Sequence, residues 1–193
     1  MNPATALLSL SFAAIASLFA PAALAGWELD PSHTHVSFQV SHLGLTQTPG
    51  IFRKVQGEVR YDDTKVESSS VSITIDTASI DTVNPQRDAD LRGADWLDAQ
   101  KNPSITFVSK SVRKLEDSKY SISGDLTIRG KTLPVSFATV LTNRATNPFL
   151  KVPMVGFVGE ARIKRSDFGL SQYPAVIGDE VSLRIALELL LKP

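Results

Sequence analysis

Apolar and polar residues alternate over most of this chain, most plainly across residues 119–141, KYSISGDLTIRGKTLPVSFATVL. Tyr120, Ile122, Gly124, Leu126 and Ile128 alternate with Ser121, Ser123, Asp125, Thr127 and Arg129, and Leu133, Val135, Phe137, Thr139 and Leu141 repeat the rhythm. A period of two places each set on one face of a strand. Between the arms, Gly130 and Lys131 predict a tight turn, with a glycine free to adopt positive φ. The stretch predicts a β-hairpin whose inner face is aliphatic and aromatic. Such a face has to lie against, or curl around, something apolar.

The same alternation recurs along the chain. Val36, Phe38 and Val40 mark a strand in 34–42; Val55, Gly57, Val59 and Tyr61 mark one in 54–61; Val71, Ile73 and Ile75 mark one in 70–76. Ile105 and Phe107 follow, then the hairpin, then Val155, Phe157, Gly159, Ala161 and Ile163. Residues 181–191 carry the longest aliphatic face. About eight strands joined by short polar turns predict an all-β fold, an extended eight-stranded antiparallel barrel in up-and-down order. Closure removes the exposed edges, and a barrel of that size is either filled by side chains or holds one slender ligand. One segment breaks the rhythm, a helical insertion around residues 85–100. Asn84 can cap it, Pro85 suits a first turn, and Gly93 would divide it into two short helices. With Leu91, Trp96 and Leu97 as its large apolar residues, it reads as a plug or cover on one rim.

The inward positions include Phe38, Phe107, Phe137 and Phe157 but also Gly57, Gly124, Gly159 and Ala161. Small residues there either let strands coil sharply around a dry core or leave a lumen. A lumen would be walled almost entirely by carbon, and its ligand would be a lipid or another long apolar molecule.

Length, 193 residues, fits one domain. Residues 1–25 stand apart as a signal peptide: ALLSLSFAAIASLF at 6–19 is an apolar run too short for a secure membrane span, and Pro21 and Ala23-Leu24-Ala25 predict cleavage after Ala25. The barrel domain is then 26–193. With no cysteine there is no disulfide, thiol nucleophile or acylated anchor. Twenty basic side chains against twenty acidic ones give no basic face for nucleic acid.

Candidate chemistry is sparse. His33-x-His35 puts two imidazoles on one strand face, with Asp30 a natural partner, but two ligands do not make a metal site, and His42 has the opposite parity. Asp88, Asp90, Asp95 and Asp98 lack calcium-loop spacing and are interleaved with Arg87, Arg92 and Lys101, which predicts a solvated mixed-charge face. There is no G-x-S-x-G elbow and no glycine-rich phosphate loop. Arg165-Ser166-Asp167-Phe168-Gly169 and Gly178-Asp179 read as turns with ion pairs. No catalytic residue, metal site or cofactor is predicted.

Several short motifs stand in a fixed order: Trp27-Glu28-Leu29-Asp30-Pro31-Ser32-His33 leading into Val36-Ser37-Phe38-Gln39-Val40 and His42-Leu43-Gly44, then Gly50-Ile51-Phe52, then Ser79-Ile80-Asp81-Thr82. Arg87-Asp88, Asp95-Trp96-Leu97-Asp98, residues 124–130 (GDLTIRG), residues 165–169 (RSDFG) and residues 178–181 (GDEV) complete the set. Taken together, these pieces resemble the YceI family of polyisoprenoid-binding, lipocalin-like periplasmic proteins. Residues 143–153, NRATNPFLKVP, follow no pattern of that family.

The resemblance implies a lipocalin-like tunnel for a polyisoprenoid, or an isoprenoid quinone or related lipid, held for carriage, storage or stress protection in the periplasm. The inward-facing tunnel candidates are Val36, Phe38, Val40, Val59, Ile73, Trp96, Phe107, Leu126, Phe137 and Phe157, with His33 and His42 at a polar mouth. Transient contact with a membrane surface or a membrane redox protein is the expected partnership, with a homodimer as one option. Two alternatives stand beside it: a metal- or small-ligand-binding stress protein using His33 and His35, and an isoprenoid-modifying enzyme.

Overall fold

The computed structural model describes residues 26–192. The expected signal peptide and its cleavage after Ala25 lie outside the described residues. Eleven strands form one antiparallel sheet: β1 (Trp27–Leu29), β2 (His35–His42), β3 (Thr46–Phe52), β4 (Val55–Arg60), β5 (Ser70–Asp76), β6 (Ile80–Asp81), β7 (Ser104–Glu116), β8 (Lys119–Ile128), β9 (Lys131–Thr146), β10 (Pro153–Lys164) and β11 (Ile177–Leu191), with helix α1 (Pro85–Arg92) before β7. These make the eight staves that the alternation predicts. β1 and β2 both pair with β11 as one interrupted stave. β3 and β4 are the halves of one bent strand, the first paired with β2 and the second with β5. β6 prolongs β5 to reach β3, where Phe52 faces Ile80. The ladder therefore returns on itself through that bend and leaves no long open edge.

β3 is the strand that periodicity misses, because Pro49 and Gly50 in its middle are strand breakers by rule. The central hairpin turns one residue earlier than predicted, at Arg129 (φ 52°) and Gly130 (φ 72°), the paired positive φ of a tight hairpin turn. Arginine adopts that conformation at some cost. The compensation is visible: its guanidinium donates to the carbonyls of Ala94 (2.8 Å) and Gly169 (3.0 Å), tying together the two long connections at that end of the barrel.

Those connections are the insertion between β6 and β7 and the crossing from β10 to β11. In α1, Asn84 caps by accepting from the Arg87 N–H (3.0 Å) and Pro85 occupies the first turn. Beyond Gly93 the chain makes successive turns rather than the second helix predicted. One of the four acids expected in solvent is an anchor instead: Asp88 is buried and accepts from both N–H (2.8 Å) and hydroxyl (2.6 Å) of Thr82. Arg92 donates to the carbonyls of Ala78 and Ile80, both at 2.8 Å, fixing the insertion across the rim.

The opposite end is packed. Leu29, Val59, Val155, Leu187 and Leu189 form a cluster there, with Leu189 and Val155 essentially inaccessible to solvent. Among the described residues, no helix is long and apolar enough to cross a membrane.

Candidate functional site

A cavity of about 840 Å³ runs inside the barrel, toward the upper end of the range for small-molecule sites. On β11, Val181, Leu183, Ile185 and Leu187 line it in succession, and at about 3.3 Å per residue that stretch spans roughly 20 Å. All ten tunnel candidates face it: Val36, Phe38 and Val40 from β2, Val59 from β4, Ile73 from β5, Phe107 from β7, Leu126 from β8, Phe137 from β9, Phe157 from β10 and Trp96 from the insertion. Phe107 and Phe137 meet edge to face with centroids 5.1 Å apart, giving the wall a rigid aromatic patch.

The inward glycines divide between the two roles left open by the sequence. A Cβ on Gly124 would lie 2.3 Å from the Val108 carbonyl oxygen and 2.7 Å from the Ser109 Cα, where the β7–β8 register shifts. That glycine permits a bulge. Gly159 lines the cavity, and the atoms nearest to a Cβ there would be side-chain rather than backbone atoms, Ile185 Cγ2 and Thr139 Oγ1 at 3.1 Å and Phe137 Cβ at 3.7 Å. That one leaves room.

The two ends of the cavity differ. At the packed end, Tyr61, Tyr120 and Phe157 form an aromatic layer, and Val66, on a short 3-10 turn, packs against Val112 and Tyr120 beneath it. Burial pushes the Tyr61 hydroxyl up to about 12, against the pull of Arg144, which donates to it at 2.6 Å. Most of the exposed lining residues stand at the other end, among them His42, Asp90, Asp95 and Tyr173, while Arg60 beside the aromatic layer and Arg184 on β11 are also exposed. That exposed lining makes the insertion end the candidate mouth. Trp96 stacks on Tyr173 at its mouth, with centroids 6.3 Å apart and planes at 24°. Two mouth residues that the sequence did not single out for binding, Arg165 and Gln172, also line it. Arg165 stood within a motif read as turn chemistry, and nothing in the pattern distinguishes a buried arginine from a solvated one.

His33, expected beside His42 at the mouth, stands instead on the outer wall where β1 gives way to β2. Its Nδ1 lies 2.9 Å from Asp30 and 3.8 Å from Glu188. These three offer ligand atoms within 4.8 Å of one another, whereas His35, its expected partner in metal binding, is not one of them. The arrangement is an ion-pair corner. The hydrogen bond to Asp30 raises the His33 pKa, and the same bond is the largest influence lowering that of Asp30. His33 thus favours the folded state fully below its ordinary value of 6.5 and loses that contribution as pH rises through its raised value. Asp30 contributes above 3.8 and loses its share as pH falls through its lowered value. Both effects are small at so exposed a site. In an NMR titration, Asp30→Asn is expected to return the His33 midpoint toward 6.5, and an unchanged midpoint would show that Asp30 does not hold it.

The chain matches the model of the YceI-like domain over residues 27–189. It is 34% identical over 184 residues to Protein YceI of Escherichia coli O157:H7, covering 94% of this chain and 95% of that one. Among solved structures it is similar to BcnA of Burkholderia cenocepacia, at a TM-score of 0.76 and 28% identity over 83% of this chain and 99% of that one. A polyisoprenoid binding domain from Saccharophagus degradans, implicated in plant cell wall breakdown, shares the fold at a TM-score of 0.65 and 14% identity, over 86% of this chain and 98% of that domain.

Proposed function

Because the chain belongs to the YceI family, we propose that it is a lipid-binding protein that encloses one long isoprenoid chain, tail inward, within the barrel. The observation that carries this reading is the cavity, about 840 Å³ of mostly carbon-walled space inside the barrel. The shared fold of a domain described as polyisoprenoid binding supports it. With C–C bonds of about 1.5 Å, an extended isoprene unit covers roughly 5 Å, so a 20 Å tunnel holds about four units. Each five-carbon unit contributes about 3 to 4 kcal/mol on burial. Four offset an association cost on the order of 10 kcal/mol with a modest surplus, so selection is by length and thickness of the chain.

It is a binding protein rather than an enzyme on this reading, since the cavity wall is mostly hydrocarbon and its deep polar groups, the Tyr61 and Tyr120 hydroxyls, belong to a packed aromatic layer. An isoprenoid quinone satisfies the same walls. Residues 1–25 would direct export and be removed after Ala25, placing the barrel in the periplasm, where it would collect or deliver its ligand at a membrane surface.

Geranylgeraniol, with four isoprene units, is the direct probe. At a free concentration about 100 times its Kd it is expected to stabilise the lipid-free protein by about 2.7 kcal/mol, a rise in Tm of roughly 5 to 10 °C for a domain of this size. Absence of any shift with farnesol, geranylgeraniol or solanesol would overturn the proposal.

A further inference from the structure

The mouth holds two polar groups that the hydrocarbon reading leaves without a task. Arg165 is only 5% exposed, yet all three of its hydrogen-bond partners are neutral. Nε donates to the carbonyl of Gly178 (2.9 Å), Nη2 to that of Ile177 (2.9 Å) and Nη1 to that of Leu170. Its guanidinium carbon lies 6.0 Å from the centre of the Trp96 ring. The carboxylate that feels its charge, Asp179, is itself held by the Ser166 N–H (3.0 Å) and hydroxyl (2.8 Å). A guanidinium has more N–H groups than those three carbonyls use. Arg165 therefore retains donor capacity in a largely water-excluded place, and it lines the cavity.

Gln172 belongs to the loop whose two ends Arg165 holds, at Leu170 and Ile177. Its Oε1 is buried with no hydrogen-bond partner, and the residue also lines the cavity. A buried acceptor left unpaired costs about 1 to 3 kcal/mol, which a leucine at this position would avoid.

We propose that Arg165 and Gln172 form a head-group site for an isoprenoid that ends in a hydroxyl, an alcohol or a phenol. This rests on the lipid-binding reading and adds the ligand's polar end and its orientation. A hydroxyl accepts from the spare Arg165 N–H and donates to Gln172 Oε1, whereas a carbonyl or an ether can only accept and leaves Oε1 unpaired. A hydroxyl also suits either orientation of the amide. The chain enters tail first, its far end reaches the aromatic layer at Tyr61, and its head stops beneath the stacked rings of Trp96 and Tyr173.

The test compares geranylgeraniol, its methyl ether and the matching hydrocarbon on the lipid-free protein, by titration calorimetry. The alcohol is expected to bind about 5- to 10-fold more tightly than the ether, the worth of one hydrogen bond. Gln172→Leu should bring that ratio to about one while leaving ether and hydrocarbon affinities in place. Arg165→Lys, checked for an unchanged circular dichroism spectrum and Tm, should weaken the alcohol and the ether together and spare the hydrocarbon. Equal binding of alcohol and ether by the wild type would overturn the head-group site while leaving the tunnel intact, as would an unchanged ratio in Gln172→Leu. Binding of none of the three overturns both readings.

Discussion

Gly159→Leu is expected to weaken binding of geranylgeraniol by about 100-fold while leaving the lipid-free protein nearly as stable as the wild type. The new side chain starts where its Cβ meets the Ile185 methyl and the Thr139 hydroxyl at 3.1 Å, and its remaining carbons extend into the cavity. Both neighbours are γ atoms of β-branched side chains, so relief of a few tenths of an ångström falls on their χ1 angles and not on the backbone. Four added carbons displace about one isoprene unit, worth roughly 3 kcal/mol, which converts to the affinity change stated. Without lipid, they fill space that was empty, and the net effect on stability is expected to be within about 1 kcal/mol. Thermal unfolding and titration of the two proteins, each without and with the prenol, separate these effects. Unchanged affinity would show that the chain does not pass Gly159.

Gly124→Ala should act first on stability. One methyl at 2.3 Å from a main-chain oxygen and 2.7 Å from a neighbouring Cα cannot be accommodated by a side-chain rotation, so β7 itself has to move. The expected cost is about 3 kcal/mol, at the upper end for an overpacked core. That lowers Tm by roughly 6 to 12 °C. The methyl would also lie 2.8 Å from the Phe107 ring, a cavity wall, so prenol affinity of the folded fraction is expected to fall with it. A Tm within about 2 °C of the wild type would mean that the bulge tolerates a side chain.

These two glycines show what could be read from the sequence and what could not. Strand parity is a local property, and it put both on the inner face, together with nine of the ten wall residues, Trp96 of the insertion being the other. What separates them is the distance to an adjacent strand, set by the register shift between Ser109 and Ser111, which no periodicity contains. The same limit explains the other departures. Pro49 and Gly50 hide β3 because local rules count against a strand that pairing with β2 sustains. Arg129 accepts a positive φ because its side chain reaches Ala94 and Gly169, residues 35 and 40 positions away. Asp88 looks solvated among its charged neighbours until the barrel rim brings Thr82 over it. His33 looked like a mouth residue because strand ends were legible and the two ends of the barrel were not distinguishable. Arg165 and Gln172 became conspicuous only once their partners could be counted.

The seam between β11 and the first stave has a consequence for the order of assembly. β11, fifteen residues at the end of the chain, pairs with β10 on one side and with β1 and β2 on the other. Its own side chains supply a continuous strip of the cavity wall. Until those residues are in place, the rest of the sheet has an unpaired edge and a wet apolar face, a species prone to association with others of its kind. Closure also joins positions as distant as Leu29 and Leu189, the sort of pairing that makes folding slow. The binding site is therefore complete only once β11 has closed between β10 and the first stave.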